Sequence, residues 1–163
     1  MPLLLGRSPR AQQTGKIARI GIVSVGGTSS DMVGPKPSRP STQAFLRGLH
    51  ELGYVYGEHF VTEPRAADER LSAYPALTAE LVRLNVDVIV ASGPTIPALH
   101  QATATIPIVM AAAGDPVRDG FVRSLGYPGG NITGLSLGGE ELGPKRLDLL
   151  KELVPTAKLV AVM

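Results

Sequence analysis

One stretch of the chain decides the fold, and it occupies residues 71–133: LSAYPALTAELVRLNVDVIVASGPTIPALHQATATIPIVMAAAGDPVRDGFVRSLGYPGGNIT. Apolar residues at steps of three and four predict a helix in its first part. Near-continuous apolar runs at 86–91 and 108–112 predict two buried strands. Each run is followed by a short polar turn and then a helical pattern, at 96–102 and 117–125. This alternation is typical of a doubly wound parallel α/β sheet with helices on both faces.

The alternation continues on both sides of this stretch. Three further strands are predicted, at 17–24, 60–63 and 131–135, from short apolar or β-rich runs. A long loop rich in glycine and proline follows the first strand. After it, Ser41 or Thr42 is predicted to cap a helix.

A last helix is predicted to open at Pro144 and to turn its leucines inward. An apolar strand is predicted at 159–163. The five earlier strands should pair in the order 2-1-3-4-5, all parallel, in a three-layer α/β/α arrangement. We expect one α/β domain at 17–155, followed by a segment at 156–163 that holds this last strand. Residues 1–16 should be either the remnant of an export segment or a disordered tail.

Composition argues against several functions. The chain has no cysteine, which removes disulfides, thiolate metal sites and cysteine nucleophiles. Its three histidines are dispersed and lack the spacing of metal ligands, so no metal or other cofactor is expected. No apolar run reaches the ~18 residues that a membrane-spanning helix needs.

The positive charge is concentrated at the beginning of the chain. Residues 1–19 hold four basic residues and no acidic one. Removing these four from the 16 basic residues leaves 12 against 14 acidic residues in the remainder. The remainder therefore lacks the basic stripe that binds phosphates, and we expect no nucleic-acid partner.

No catalytic residue is predicted. The GxxxxGK[ST] pattern is missing from the sequence. The run SVGGTSS at 24–30 follows the first strand, but it lacks GxGxxG spacing and leads into a long loop instead of a helix. A dinucleotide site is therefore disfavoured.

The candidate site lies in the turns that follow three strands. In a parallel sheet these turns meet at the carboxyl edge, where small molecules bind. Hydroxyls, a carboxylate and backbone N–H groups left open by glycine can hold a polar solute without reacting with it. The alternative is that Ser92 and Asp115 only cap the helices that follow them. The predicted ligand-binding residues are Ser24, Ser92, Gly93, Thr95, Gly114 and Asp115.

Several segments follow one another in a characteristic order. They are AFLRGLHELGYVYGEHF at 44–60, YPALTAELVRLNVDVIVASG at 74–93, IPIVMAAAGDPVRDGFVRSL at 106–125, GGNITGLS at 129–136 and KRLDLLKELVP at 145–155. Together they resemble one bacterial family, the ABC-transporter substrate-binding proteins of the tryptophan/tyrosine type, which have the type I periplasmic-binding-protein fold.

The resemblance implies a non-enzymatic, periplasmic solute-binding protein whose two lobes close on a small molecule, such as an amino acid, and deliver it to a membrane permease. This sequence departs from the family pattern in three ways. Its export signal is incomplete, and the loop at 27–41 is longer than usual. The third departure is that only the N-terminal lobe with a trailing hinge helix is expected, at 17–155, followed by the first strand of a second lobe at 156–163. Two alternatives are a small-molecule sensor domain of the same fold and a nucleotide-using enzyme.

Overall fold

A parallel sheet of five strands forms the centre of the molecule. The computed structural model describes residues 16–68 and 70–159, and the helices, strands and contacts of the fold belong to those residues. The strands lie in the order β2-β1-β3-β4-β5, and every neighbouring pair is parallel. The predicted fold class and strand order are therefore confirmed. The strands are β1 (Ala18–Ser24), β2 (Phe60–Ala66), β3 (Val88–Ser92), β4 (Ile108–Ala113) and β5 (Ile132–Ser136).

Helices cover both faces of this sheet. The α-helices are α1 (Pro40–Glu51), α2 (Tyr74–Arg83), α3 (Ile96–Ala102) and α4 (Gly139–Leu153). Short 3₁₀ turns occupy Ser29–Met32, Leu71–Ala73 and Gly93–Thr95. No described helix has both the length and the apolar character needed to cross a membrane.

Two apolar clusters account for the packing of the sheet. The larger cluster joins α2 and α3 to the central strands, and Leu81, Leu99 and Ile89 are fully buried in it. The smaller cluster lies under α1 and contains Met32 and Phe60. Each fully buried aliphatic side chain stabilises the fold by about 1.5–3 kcal/mol. The continuous apolar runs of β3 and β4 thus reflect burial on both faces of the sheet.

The start of α1 differs from the prediction. The N-cap is Arg39, with Pro40 at the first helical position, so neither Ser41 nor Thr42 caps the helix. Proline is favoured at this position because its fixed φ suits the helix and its missing N–H would have no partner there. At the other end, Gly53 has a φ of +88° and donates its N–H to His50 O at 2.9 Å.

The predicted helix at 117–125 is wrong. Only one turn forms there, closed by bonds from Asp119 N–H to Asp115 O at 3.0 Å and from Gly120 N–H to Val117 O at 3.1 Å. Gly120 has a φ of +76°, which stops the turn from continuing as a helix. The connection from β4 to β5 is consequently an irregular loop.

The last helix also differs from the prediction. It begins at Gly139, so Pro144 lies inside it and does not open it. Its leucines do not turn inward: Leu153 is 80% exposed, and no described leucine of α4 belongs to either apolar cluster. Leu159 is not in a strand, and the rest of the strand predicted at 159–163 lies outside the described residues. Residues 1–15, for which an export remnant or a tail was predicted, also lie outside them.

Gly134 provides a test of the pairing between β4 and β5. Its φ is +136°, and a Cβ placed on it would lie 2.2 Å from Met110 O, a backbone atom of its paired residue. We expect Gly134→Ala to lower the free energy of unfolding by at least about 2 kcal/mol, because both the backbone and the strand spacing must distort. Urea unfolding measures this loss.

The matched control is Gly126→Ala, since a Cβ there meets nothing within 4 Å and its φ is not in the left-handed region. Its effect should stay within about 0.5 kcal/mol. Equal effects of the two substitutions would contradict the tight pairing at Gly134.

Candidate functional site

A cleft of about 130 Å³ opens at the carboxyl edge of the sheet. Ser24 and Ser92 are the last residues of β1 and β3, and both line the cleft. The opposite wall comes from Arg39, Ser41 and Phe45, at and after the start of α1. The cleft therefore combines hydroxyls, a guanidinium group and one aromatic ring.

The sheet register explains why the two serines meet. β1 and β3 are neighbours, and Val23 pairs with Ala91 just before each strand ends. Parallel strands that end in register carry their last side chains to the same edge. Residues 68 positions apart in the sequence thus share one cleft.

A buried tyrosine from α2 holds the end of β1. The Tyr74 hydroxyl donates to Ser24 O at 2.9 Å and to Val25 O at 3.0 Å. The side chain is only 1% exposed, so water does not compete for these contacts. Tyr74 is therefore a positioning residue for Ser24, although it does not line the cleft.

The long loop between β1 and α1 is packed against the sheet. Met32 is fully buried, and Ser29 Oγ accepts the N–H of Ala66 at 3.0 Å. Arg39 links the loop to the helix, since its guanidinium donates to Gly26 O and, at 3.2 Å, to Ser41 Oγ. These contacts fix Arg39 at the mouth of the cleft.

Asp31 organises the same loop by electrostatics. Its carboxylate accepts the backbone N–H and the hydroxyl of Thr28, each at 2.9 Å, and the Ser38 hydroxyl at 3.3 Å. The pKa of Asp31 is lowered, chiefly by the Thr28 backbone N–H, then by the Thr28 and Ser38 hydroxyls, and also by the charge of Arg39. Hydrogen bonds and a nearby cation both favour the charged carboxylate.

The predicted residues at the end of β3 have different surroundings. Ser92 is half-buried and lines the cleft, and its side chain does not cap the turn that follows. Gly93 adopts a φ of +53°, which a glycine allows without strain. Thr95 is fully buried and donates to Ser92 O at 2.9 Å, so it holds the turn. A ligand-binding role for these residues stays a prediction.

Of the predicted pair after β4, Asp115 lines a separate cleft of about 420 Å³, together with Arg118 and Ser136. Asp115 Oδ1 accepts the N–H groups of Val117 at 3.2 Å and Arg118 at 3.0 Å, so the carboxylate caps the turn. Gly114 O accepts the Ser136 hydroxyl at 2.8 Å. The six predicted residues thus do not share a single cleft, and Asp115 has the capping role that was the alternative to ligand binding.

Sequence reasoning missed the wall formed by Arg39, Ser41 and Phe45. A signal was available in Pro40, which marks the first position of a helix whose N-terminus follows the loop from β1. The direction of the Arg39 side chain has no such signal, because it depends on the carbonyl of Gly26 across the loop. Over the described residues, no three side chains of His, Asp or Glu come together as metal ligands.

Comparisons with known proteins agree on one family. The family model for ABC transporter substrate binding protein matches residues 36–163. A curated relative, the tyrosine-binding protein of Clostridioides difficile strain R20291, is 35% identical over 123 residues, which are 74% of this chain and 35% of the relative.

Two solved structures are similar as well. A conserved domain protein from Vibrio cholerae is 32% identical with a TM-score of 0.69, over 88% of this chain and 46% of that protein. An ABC domain in complex with L-Trp from Streptococcus pneumoniae is 28% identical with a TM-score of 0.61, over 74% of this chain and 39% of that protein. The chain therefore spans less than half the length of these relatives.

The charge of Asp31 should make the free energy of unfolding depend on pH. The charged carboxylate stabilises the folded state because its pKa is lower there than in the unfolded chain, where it is about 3.9. This stabilisation is complete above the unfolded pKa and is lost as the pH falls through the folded pKa. Asp31→Asn should therefore be less stable than the wild type at pH 7, with a gap that narrows as the pH is lowered towards 3. Urea unfolding at a series of pH values measures the gap. Glu51→Gln, which changes an exposed carboxylate at the end of α1, is the control. A gap for Asp31→Asn that does not change with pH would contradict the lowered pKa of Asp31.

The positioning role of Tyr74 is tested by Tyr74→Phe. The substitution removes the buried Tyr74 hydroxyl, so the carbonyls of Ser24 and Val25 lose their hydrogen bonds to it. The free energy of unfolding should therefore fall by about 1–2 kcal/mol. Tyr127→Phe is the matched control because Tyr127 is 67% exposed, and its effect should be below about 0.5 kcal/mol. Similar losses of stability in both variants would contradict the positioning role of Tyr74.

Proposed function

Because the chain belongs to the family of ABC transporter substrate-binding proteins, we propose that it is the solute-binding lobe of a bacterial importer. In this role it captures a small molecule without chemical change and passes it to a membrane permease. The observation that carries the proposal is the meeting of Ser24, Ser92 and Arg39 beside the first turn of α1 at the carboxyl edge. We also propose a periplasmic location, because capture must precede transport.

The proposed solute is an amino acid. Two relatives support this class, one named as tyrosine-binding and one solved with L-Trp. The first turn of α1 has no side-chain cap, so the N–H groups of Ser41 and Thr42 are available to a carboxylate, and the helix dipole favours negative charge there. The guanidinium of Arg39 adds a positive charge at the same place.

The other groups of the cleft suit the rest of an amino acid. The hydroxyls of Ser24 and Ser92 can both donate and accept, so they can bind either the carboxylate or the ammonium group. Phe45 offers an apolar contact for the first carbons of the side chain. A volume of about 130 Å³ suits the polar end of the solute and leaves its side chain facing outwards, towards the second lobe that the proposal requires.

Calorimetry with L-tyrosine, L-tryptophan and tyramine tests this proposal. Both amino acids should bind, whereas tyramine, which lacks the carboxylate, should bind much more weakly. Ser92→Ala should weaken the binding by about threefold to tenfold, which corresponds to the loss of one hydrogen bond.

The control is Ser72→Ala, which removes an exposed hydroxyl from the turn before α2 and should leave the affinity unchanged. If tyramine bound as tightly as L-tyrosine, the carboxylate would not be recognised at this edge. If Ser92→Ala bound like Ser72→Ala, the cleft would not be the site.

A further inference from the structure

We propose a second small-molecule site in a groove beside α1, which binds an organic anion with an aromatic or other apolar body. This α1 groove has a volume of about 610 Å³ and lies between α1, the loop segment 35–37 and the segment 54–60. It shares no lining residue with the cleft at the carboxyl edge. The inference therefore does not depend on the proposed function.

The interior of the α1 groove is apolar and aromatic. Leu46 and Phe60 are buried at its base, with 8% and 3% exposure. Tyr56 packs edge-on against Phe60, with ring centroids 5.4 Å apart and an interplanar angle of 75°. Tyr54 stands at the side and is 46% exposed. The volume and the lining match those of sites that hold small organic molecules.

The polar groups around this interior are cationic or basic. Arg47 and His50 project from one side of α1, and Lys36 comes from the facing loop. No aspartate or glutamate among the described residues lines the groove. Glu51 follows Arg47 by one helical turn, yet the two side chains do not form an ion pair.

Some arginines of the described chain are neutralised by a carboxylate, and others, such as Arg83, are not. Arg19, Arg65 and Arg118 each pair with a carboxylate, at 2.7, 2.9 and 3.0 Å respectively. Lys36 and Arg47 have no such partner among the described residues, so their charges remain available around an apolar interior. Such a surface favours a ligand that carries a negative charge.

Hydrogen bonds hold both walls of the groove in place. Gln43 Nε2 donates to Pro37 O at 2.8 Å and so fixes the loop wall against α1. In the other wall, Val55 N–H donates to His59 Nδ1 at 2.9 Å and Gly57 N–H donates to Phe60 O at 2.7 Å. A site with fixed walls binds without the entropic cost of ordering them.

The experiment uses the 163-residue chain and two probes of the same shape, 2-naphthoate and the uncharged 2-naphthamide. Two-dimensional amide NMR should show that 2-naphthoate shifts the signals of Arg47, His50 and Tyr54 and leaves those of Ser24 and Ser92 unchanged. The naphthamide should bind more weakly, because it keeps the apolar body and loses the charge.

Substitutions then test the cations. Lys36→Gln and Arg47→Gln should each weaken 2-naphthoate binding by about threefold to fivefold, as expected for exposed charge pairs, and together by about tenfold. Arg83→Gln, an exposed charge on α2, is the matched control and should have no effect. Thermal unfolding of each variant verifies that the fold is retained.

Three results would overturn the proposal. The first is equal binding of 2-naphthoate and 2-naphthamide, which would leave the cations without a role. The second is a loss of binding in Arg83→Gln as large as in Arg47→Gln, which would indicate attraction by overall charge. The third is a shift of groove signals with an acidic, aromatic peptide but not with 2-naphthoate, which would make the groove a protein-docking surface.

Discussion

The site depends on the parallel pairing of β1 with β3 at the centre of the sheet. This pairing places the last residues of both strands, Ser24 and Ser92, at one edge, and it requires helices on both faces because the strands have no polar side. Gly21 lets α2 approach β1 closely, since a Cβ there would lie 3.2 Å from Leu81 Cδ1 and from Ile89 Cγ1. The helix that packs so tightly also carries Tyr74 to the end of β1.

The same pairing decides what α1 contributes. A helix that connects two neighbouring parallel strands must run back along the sheet, so its N-terminus lies at the carboxyl edge. The uncapped first turn and Arg39 therefore face the cleft, and the positive end of the helix dipole adds to their charge. Farther along, the outer side of α1 meets the segment 54–60 and forms the α1 groove. One helix thus supplies a wall to two separate concave surfaces.

Charged side chains lie on β2, one of the two edge strands of the sheet. Glu63 and Arg65 of β2 pair with Arg19 and Glu80 on neighbouring elements, at 2.7 and 2.9 Å. Charged side chains on an edge strand disfavour pairing with another chain. These ion pairs are only partly buried, so each adds little to the free energy of unfolding, about 0–1 kcal/mol.

The sequence by itself determined the elements with strong local signals. The apolar runs of β3 and β4 and the alternation of strands and helices predict the sheet and its order, and Gly53 predicts the end of α1. The helix predicted at 117–125 fails because Asp115 caps a single turn that Gly120 ends, and periodicity does not register either event. Only the tertiary structure decided that Ser24 and Ser92 meet Arg39 while Thr95 is buried and Asp115 lies in another cleft. Side-chain direction and the approach of distant residues depend on packing between elements, and no local pattern in the chain encodes them.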